Sequence, residues 1–306
     1  MFQVRVPATI ANIGPGFDSF GLAVSLYNTF TFSPANKHAI EGDLPQGISK
    51  DPGENLIFKA MDYFFSRTGH LPCGIKVTID AQIPLARGLG SSSSAIVAGL
   101  MAANLISGDP LSKQDLLQLA TQLEGHPDNV APALMGGLQL CDESASPGAG
   151  IGKINAYTLP FPADWRIVVM IPDYTVLTEE ARRVLPDKVS FNDAVFNMRK
   201  ASLLTYALLN HDGKAFAASL EDKMHQPYRG KLLKEWQSIR DMAAECGAFG
   251  AVISGSGPTM AVFYSKECQS DIMAGLDDVA ETVGTPEIRL TMKKLSLDLS
   301  GASPLV

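Results

Sequence analysis

The chain has 306 residues, 46% of them hydrophobic and 19% charged, and its formal net charge at pH 7 is -7. This length and apolar content suffice for one large domain or two modest domains with buried cores. The acidic balance argues against a protein that binds nucleic acid or another polyanion, because phosphate contacts need a basic surface.

The cysteines and the start of the chain indicate the compartment. Cys73, Cys141, Cys246 and Cys268 form no C-x-x-C pair, so they predict neither a zinc site nor a disulfide framework. Free thiols are typical of the reducing cytosol, and the first residues alternate like a strand, unlike a signal peptide. The longest apolar run, residues 95–106, is shorter than the about 20 residues that a transmembrane helix needs. We therefore expect a cytoplasmic protein.

Hydrophobic periodicity predicts alternating strands and helices in the first half of the chain. After a strand at 2–6, the segment ATIANIGPGFDSFGLA is rich in turn formers and is predicted as a loop. The remaining predicted elements are a helix at 54–67, a strand at 75–79, a buried helix at 92–106, an amphipathic helix at 111–124 and a turn at 142–153.

The second half shows a similar mixture, with no internal repeat. Its predicted elements are a strand at 165–172, a short helix stopped by Pro186, helices at 192–210 and 213–225, a helix start at Pro227, a strand–turn–strand at 248–264, a helix at 267–283 and a strand at 288–294. We predict two domains, 1–155 and 156–306, with a boundary that the patterns place only within 155–190.

The segment PLARGLGSSSSAIVAG, residues 84–99, joins a strand to an apolar helix through two glycines and four serines. Serine–glycine tracts are usually solvated linkers, but this one has no spare length, so its backbone must be ordered. A helix N-terminus offers unpaired N–H groups and the positive end of the helix dipole. Gly88 and Gly90 allow close backbone approach to a phosphate, and serine hydroxyls add donors or a metal ligand. The segment therefore predicts a phosphate site, although neither G-x-x-x-x-G-K-[ST] nor G-x-G-x-x-G occurs.

Four segments resemble motifs of the GHMP kinases, in the order expected for that family. P-x-x-x-G-L-G-S-S at 84–92 resembles the family's phosphate-binding motif, and PATIANIGPGFDSFGLA its first motif. AVISGSGPTMAVF at 251–263 resembles its third, glycine-rich motif. EGHPDNVAPALMGG at 124–137 is the most specific, and it is characteristic of the branch that phosphorylates homoserine. Arg87 stands where the family often has a small residue.

This resemblance implies a fold and a reaction. The fold would be α+β with two lobes, an N-terminal lobe like the second domain of ribosomal protein S5 and a ferredoxin-like C-terminal lobe. The enzyme would use ATP and Mg2+ to phosphorylate the side-chain hydroxyl of L-homoserine, a small-molecule substrate, in a step towards threonine. It would form a homodimer. The resemblance points to no evident general base. Asp128 is adjacent in the sequence, but it is equally compatible with a structural role.

The resemblance also implies the nucleotide and metal residues. The main alternative for Glu124 is a solvated charge at a helix end. The residues expected to bind ATP are Pro84, Leu85, Ala86, Arg87, Gly88, Leu89, Gly90, Ser91, Ser92, Ser93, Ser94 and, beside the adenine, Asn55; those expected to hold the metal are Ser92 and Glu124.

The substrate residues follow from the same comparison. Asp18 would face the ammonium group, and two arginines would grip the carboxylate, since a guanidinium suits it better than lysine does. Each of these residues also has a non-functional interpretation, as a turn former or as a surface charge. The expected substrate residues are Asn12, Asp18, His126, Asn129, Arg182 and Arg229; the catalytic ones are Asn129, Glu124 and Ser92; and the third-motif turn comprises Gly255, Ser256 and Gly257.

Three competing functions stay open at this point. A GHMP kinase for another alcohol, such as mevalonate, would keep the phosphate loop but lack the paired amine and carboxylate contacts. A decarboxylase of the same fold would bind ATP and release carbon dioxide. A non-catalytic ligand sensor would bind without turnover, but the presence of Glu124, Ser92 and Asn129 argues against it.

Overall fold

The computed structural model describes residues 1–42, 44, 47–70, 74–144, 151–283 and 289–305. Strands and helices alternate along the chain and build two sheets. The strands are β1 (Phe2–Ala11), β2 (Phe20–Pro34), β3 (Ala39–Glu41), β4 (Ile75–Ala81), β5 (Leu138–Glu143), β6 (Ile154–Leu159), β7 (Trp165–Pro172), β8 (Gly250–Ile253), β9 (Met260–Ser265), β10 (Leu290–Leu295) and β11 (Ser303–Leu305). The helices are α1 (Leu56–Thr68), α2 (Ser91–Ile106), α3 (Lys113–Glu124), α4 (Pro127–Met135), α5 (Thr178–Arg183), α6 (Phe191–Asn210), α7 (Gly213–Ser219), α8 (Gln226–Arg229), α9 (Trp236–Glu245) and α10 (Gln269–Val283).

The first sheet carries the helices that position the phosphate loop. Its strands run in the order β11-β1-β2-β4-β3, and β5 pairs with both β2 and β6. Helices α1 to α4 pack on one face of it around a core that includes Phe30, Phe58, Phe64 and Leu100. Helix α2 is apolar on almost every side because it lies within this core, as the sequence predicted for a buried helix.

The second sheet has the topology of a ferredoxin-like domain. Its order is β10-β7-β9-β8, and every neighbouring pair is antiparallel. Helices connect β7 to β8 and β9 to β10, which gives the β-α-β-β-α-β sequence of that fold. The α+β class and the two-sheet architecture predicted from the resemblance are confirmed.

Side chains alternate between the two faces of β7 and fill two different cores. Val168 and Met170 pack against α9 and α10, whereas Ile167 and Val169 face a core shared with α6, α7 and residues of the first sheet, among them Ile10. This shared core fixes the two sheets relative to each other, and with them the two sides of the cleft described below.

The sequence analysis misplaced several elements. Strand β1 continues through Ala11, and β2 begins at Phe20, so the predicted loop shrinks to residues 12–19. The reason is tertiary pairing, since Ala8–Ala11 bond to Gly21–Val24 across the hairpin. The segment after His126, to which the sequence patterns assigned no helix, is helix α4, with Pro127 at its first position. Part of the predicted turn at 142–153 lies outside the described residues.

The chain passes from the first sheet to the second between β6 and β7. Strand β6 still pairs with β5 of the first sheet. The C-terminal strand β11 returns to pair with β1, which the division at 155/156 did not anticipate. Among the helices of the described ranges, none is long and apolar enough to cross a membrane.

Candidate active site

A single cleft brings together most of the site residues predicted from the sequence. It lies where the phosphate loop and the start of α4 meet α5, α8 and the β8–β9 turn. The predicted residues that line it are Asn12, Asp18, Ala86, Arg87, Gly88, Gly90, Ser91, Ser92, Ser93, Glu124, His126, Asn129, Arg182, Arg229, Gly255 and Ser256.

The phosphate loop ends at the N-terminus of α2, directly at the cleft. Gly90 is the N-cap with φ 71°, and the helix begins at Ser91. The first N–H groups of a helix have no partner within it, and the helix dipole adds positive potential there. Ser91, Ser92 and Ser93 place their backbone and hydroxyl groups in this first turn, which suits a phosphate anion.

Gly90 is required at this position for a reason that the sequence does not show. A Cβ built on it would lie 2.1 Å from Thr9 Oγ1 and 3.3 Å from Asn129 Oδ1, on the protein side of the loop. The positive φ adds strain for any other residue. Close packing beneath the loop, and not only approach of a phosphate above it, demands glycine here.

We expect Gly90→Val to lower ATP affinity at least about tenfold, because the loop must move away from Thr9 to accommodate the side chain. Isothermal titration calorimetry measures the affinity. Gly108→Val is the matched control, since Gly108 has φ 82° and no atom within 4 Å of its Cβ position. Equal ATP affinity of the Gly90 variant and the control would contradict this account of the loop.

Glu124, the last residue of α3, faces the first turn of α2. Ser93 Oγ donates a hydrogen bond to Oε1 at 2.9 Å, and Ser92 Oγ donates to Oε2 at 3.2 Å. A carboxylate and a hydroxyl side by side at a phosphate site match the oxygen ligands that Mg2+ prefers, together with phosphate oxygens and water. The donor set of Ser92 and Glu124 therefore fits this metal.

The third-motif turn packs against the phosphate loop. Ser254 Oγ donates to the Gly88 carbonyl at 2.6 Å, and the Thr259 amide donates to the Arg87 carbonyl at 3.2 Å. Gly255 and Ser256 reach the cleft lining. This turn braces the loop from the side of the second sheet.

Arg87 extends from the phosphate loop towards the segment after β7. One guanidinium nitrogen, Nη2, donates to the Asp173 carbonyl. The other, Nη1, is buried and finds no hydrogen-bond partner among the described residues. Burial lowers the pKa of Arg87. A guanidinium beside the phosphate loop is well placed to contact an anion there.

The loop after β1 is tied to the third-motif turn by Asn12. Asn12 is 2% exposed, and its Nδ2 donates to the Gly255 carbonyl at 3.1 Å. Its Oδ1 accepts from the Asp18 amide at 3.1 Å. Asn12 thus fixes the backbone that carries Asp18, in addition to lining the cleft.

Asp18 and Arg182 do not face separate ligand groups but pair with each other. Arg182 Nη2 lies 2.9 Å from Asp18 Oδ1, and Nη1 lies 3.2 Å from Oδ2. Two opposite charges that face across a cleft attract at this distance. The expectation that one faces an ammonium and the other a carboxylate therefore needs the two to exchange partners when a zwitterion binds.

Arg229 is the most deeply buried cation of the cleft, at 3% exposure. Its Nε donates to the Ala181 carbonyl at 3.2 Å, and its Nη1 donates to the Gly255 carbonyl at 2.8 Å. Burial and, next, the charge of Arg182 lower the pKa of Arg229 to about 10, so it stays charged at neutral pH. A desolvated guanidinium of this kind binds a carboxylate strongly.

His126 is the N-cap of α4, and its Nδ1 lies 2.6 Å from Asp128 Oδ1. Burial by itself disfavours the charged ring, but the hydrogen bond and charge of Asp128, with Glu124 and Asp18, raise the pKa of His126 overall. Asp128 is 2% exposed and lines the cleft, so its contact with His126 supports the structural reading left open above.

Asn129 lies one position further along α4 and is 8% exposed. Its Oδ1 accepts a hydrogen bond of 2.7 Å from the hydroxyl of Thr9, on β1. The sequence analysis did not single out Thr9, because a threonine inside a buried strand carries no local signal of function. Thr178, at the start of α5, also lines the cleft and was not predicted.

A second, mainly apolar cavity adjoins the cleft and shares Ala86, Ser91, Ser92 and Thr178 with it. Leu85 and Asn55, both predicted on the nucleotide side, border this cavity. Both polar ends of Asn55 hold backbone, since Oδ1 accepts from the Ile57 amide and Nδ2 donates to the Ser49 carbonyl.

Four predicted residues lie outside both linings. Leu89 is buried in the core shared by the two sheets. Ser94 is buried, donates to the Ser91 carbonyl and accepts from Asn28, so its hydroxyl serves the fold of the helix start. Pro84 and Gly257 flank the lining residues without belonging to them.

Comparisons with known proteins identify the family to which the chain belongs. The family model for the GHMP kinases N terminal domain matches residues 55–137, and the model for the GHMP kinases C terminal matches residues 204–278. The homoserine kinase of Microchaete diplosiphon is 40% identical over 99% of this chain and 96% of that protein. The homoserine kinase of a Synechococcus strain is 44% identical over 87% of this chain and 86% of that protein.

Solved structures show the same relation. The crystal structure of homoserine kinase from Cytophaga hutchinsonii superimposes with a TM-score of 0.87 at 28% identity, covering 99% of this chain and 97% of that one. The mevalonate kinase of L. major, in complex with R-mevalonate, shares the fold with a TM-score of 0.70 at 18% identity, covering 97% of this chain and 96% of that one. The chain belongs to the GHMP kinase family and, within it, to the homoserine kinases.

Proposed function

We propose that the cleft transfers the terminal phosphoryl group of ATP to the side-chain hydroxyl of L-homoserine, which yields ADP and O-phospho-L-homoserine for threonine biosynthesis. The observation that carries this proposal is the junction of an anion-binding helix start with Asp18, Arg182 and Arg229 in one cleft. Relatives named homoserine kinase, at 40% and 44% identity over most of the chain, support the same substrate.

ATP occupies the cleft and the adjoining cavity in this proposal. The phosphates bind at the first turn of α2, and the adenine takes the apolar cavity bordered by Leu85 and Asn55. Arg87 Nη1, a buried donor without a partner among the described residues, would donate to a phosphate oxygen in this proposal.

Mg2+ would be held by Ser92 and Glu124 together with phosphate oxygens. When bound, it neutralises charge that develops on the phosphates during transfer. Ser93 donates to the same carboxylate and so keeps Glu124 turned towards the start of α2.

Homoserine supplies an ammonium, a carboxylate and a primary hydroxyl. Its ammonium binds Asp18, and its carboxylate binds Arg182 and Arg229, so that the zwitterion separates the Asp18–Arg182 pair and satisfies both members. His126 and Asn12 complete the polar walls, and Asn129 contacts the reacting hydroxyl. Because an amide side chain does not titrate, Asn129 orients this hydroxyl without acting as a base.

An ADP-release assay with Mg2+ across a panel of alcohols tests the function. We expect homoserine to be the best acceptor, with mevalonate and 4-hydroxybutyrate far slower. Faster turnover of mevalonate would reject the substrate while keeping the kinase family. Release of carbon dioxide would indicate a decarboxylase, and binding of homoserine and ATP without ADP release would indicate a sensor.

We also propose that the protein is a homodimer, because α6 exposes an apolar stripe. Phe191, Met198, Tyr206 and Leu209 are between 53% and 83% exposed and recur along one side of this helix. Such stripes mark association surfaces.

We expect Met198→Glu to weaken this dimer about tenfold or more in analytical ultracentrifugation, because it places a charge in an apolar contact. Leu299→Glu, which replaces another exposed apolar residue outside α6, is the control. A parent chain that stays monomeric at micromolar concentration would refute the dimer.

A further inference from the structure

Thr9 is a buried polar residue that the assignments above leave without a role. It lies on β1 between Ala8 and Ile10, and its exposure is 0%. A hydroxyl in such a place costs free energy unless it is hydrogen-bonded. Its partner is Asn129 Oδ1 at 2.7 Å, which belongs to a different element 120 positions away.

This hydrogen bond decides which end of the Asn129 amide meets the cleft. The Thr9 hydroxyl donates to Oδ1, so the carbonyl end of the amide points towards β1. Asn129 lines the cleft, and its Nδ2 is the group left to meet a ligand. An NH2 group only donates, so it contacts a lone pair of an acceptor oxygen and leaves that oxygen's own hydrogen free.

Thr9 also supports the phosphate loop from below. Its backbone amide donates to the Leu89 carbonyl at 3.1 Å. Its hydroxyl fills the space that a side chain at Gly90 would need, with 2.1 Å between Oγ1 and that Cβ position. One residue therefore contacts both the loop that binds the phosphoryl donor and the amide that faces the acceptor.

We infer that Thr9 is a positioning residue for phosphoryl transfer, which holds the Asn129 amide with Nδ2 towards the acceptor hydroxyl and in register with the phosphate loop. This inference rests on the proposed function, because it assumes that an alcohol is phosphorylated in the cleft. Phosphoryl transfer depends mainly on alignment of donor and acceptor. Thr9 acts on that alignment through Asn129, without touching the reacting atoms.

Threonine suits this role better than valine or serine. Valine has nearly the same shape but no donor, so it would leave Oδ1 of Asn129 buried without a partner. Serine keeps the donor and loses only the methyl group that restricts rotation about χ1. The pair Thr9→Val and Thr9→Ser thus separates the hydrogen bond from the packing.

The kinetic test compares these variants in the parent and in an Asn129→Ala background. We expect Thr9→Val to lower kcat about 10- to 100-fold, with KM for ATP changed less than about threefold, since misalignment by about 1 Å is that costly. Thr9→Ser should restore kcat to within about threefold of the parent. In the Asn129→Ala background, Thr9→Val should cost less than about threefold, because the two residues act as one unit.

A second readout does not depend on which alcohol is the substrate. The side-chain amide signals of Asn129 in nuclear magnetic resonance spectra, assigned by their loss in Asn129→Ala, should shift or broaden in Thr9→Val and stay in place in Thr9→Ser. Unchanged signals or unchanged kcat in Thr9→Val would overturn the inference. So would a rise of KM for ATP with kcat preserved, since that pattern belongs to loop support alone.

Failure of the proposed function looks different. A parent enzyme that ignores homoserine but turns over another alcohol rejects the substrate, and the same variants are then compared with that alcohol. Thermal unfolding of each variant controls for the fold, and the Thr9→Ser comparison holds even if Thr9→Val lowers Tm.

Discussion

Replacing Glu124 with glutamine is expected to lower kcat about 100- to 1,000-fold and to raise the Mg2+ concentration needed for half-maximal activity. The physical reason is the loss of one negative charge from the proposed metal site at the start of α2. Glutamine keeps an oxygen that accepts from Ser92 or Ser93, so the packing of α3 against α2 is largely preserved.

Magnesium titrations of the steady-state rate measure this effect. Glu245→Gln is the matched control, because Glu245 is likewise the last residue of a helix and is exposed, but lies outside the cleft lining. If the titration curves of Glu124→Gln and the parent superimpose, this carboxylate only accepts hydrogen bonds from the serines and does not bind the metal. A shifted curve with an unchanged Tm supports metal ligation.

The motifs of the sequence predicted most of the cleft because their chemistry is local. A run such as G-L-G-S-S specifies its own geometry, a tight loop followed by a helix start, and needs no distant partner to be recognised. Gly88, Ser92 and their neighbours could thus be predicted to lie at a loop and helix start from spacing and resemblance alone. The same holds for the α+β class, which the alternation of strand and helix patterns indicates.

Other features depend on long-range contacts and escaped the sequence analysis. Strand β2 was predicted partly as loop, because its glycine-containing start becomes a strand only through pairing with β1 and β5. Thr9 looked like an ordinary strand residue, and its significance appears only when α4 brings Asn129 beside it.

The charges of the site show a different limit. Sequence and resemblance supplied the signs of Asp18 and Arg182, but not the fact that they face each other from positions 164 apart. Their ion pair is part-buried and bidentate, so it resembles the pairing that a zwitterionic ligand would offer to each of them. We therefore expect the specificity of the site to depend on Arg229, whose guanidinium donates to two backbone carbonyls.

Replacing Arg229 with alanine is therefore expected to lower kcat/KM for homoserine about 30-fold or more, while ATP affinity changes little. Loss of one partner from a desolvated, charge-assisted contact costs about 2–5 kcal/mol, partly because the other charge stays buried and unpaired. Arg229 also holds the Gly255 carbonyl, so Tm is measured in parallel, and Arg229→Lys tests whether charge without the planar fork suffices. Lys231→Ala, two positions further along, is the control for a change near α8.

The amine side of the site gives the complementary measurement. Asp18→Ala removes the expected partner of the ammonium and also releases Arg182 from its ion pair. The kcat/KM for homoserine should therefore fall far more than the kcat/KM for 4-hydroxybutyrate, which has no amine. An equal loss for the two substrates would mean that Asp18 acts by holding Arg182 and not by contacting the ammonium. If Arg229→Ala lowers ATP affinity by the same factor as kcat/KM for homoserine, the Arg229 guanidinium belongs to the nucleotide site or to the packing of the third-motif turn. A fall in kcat/KM that is selective for homoserine in both variants requires a substrate with opposite charges on its two sides. An amino acid with a terminal hydroxyl meets that requirement.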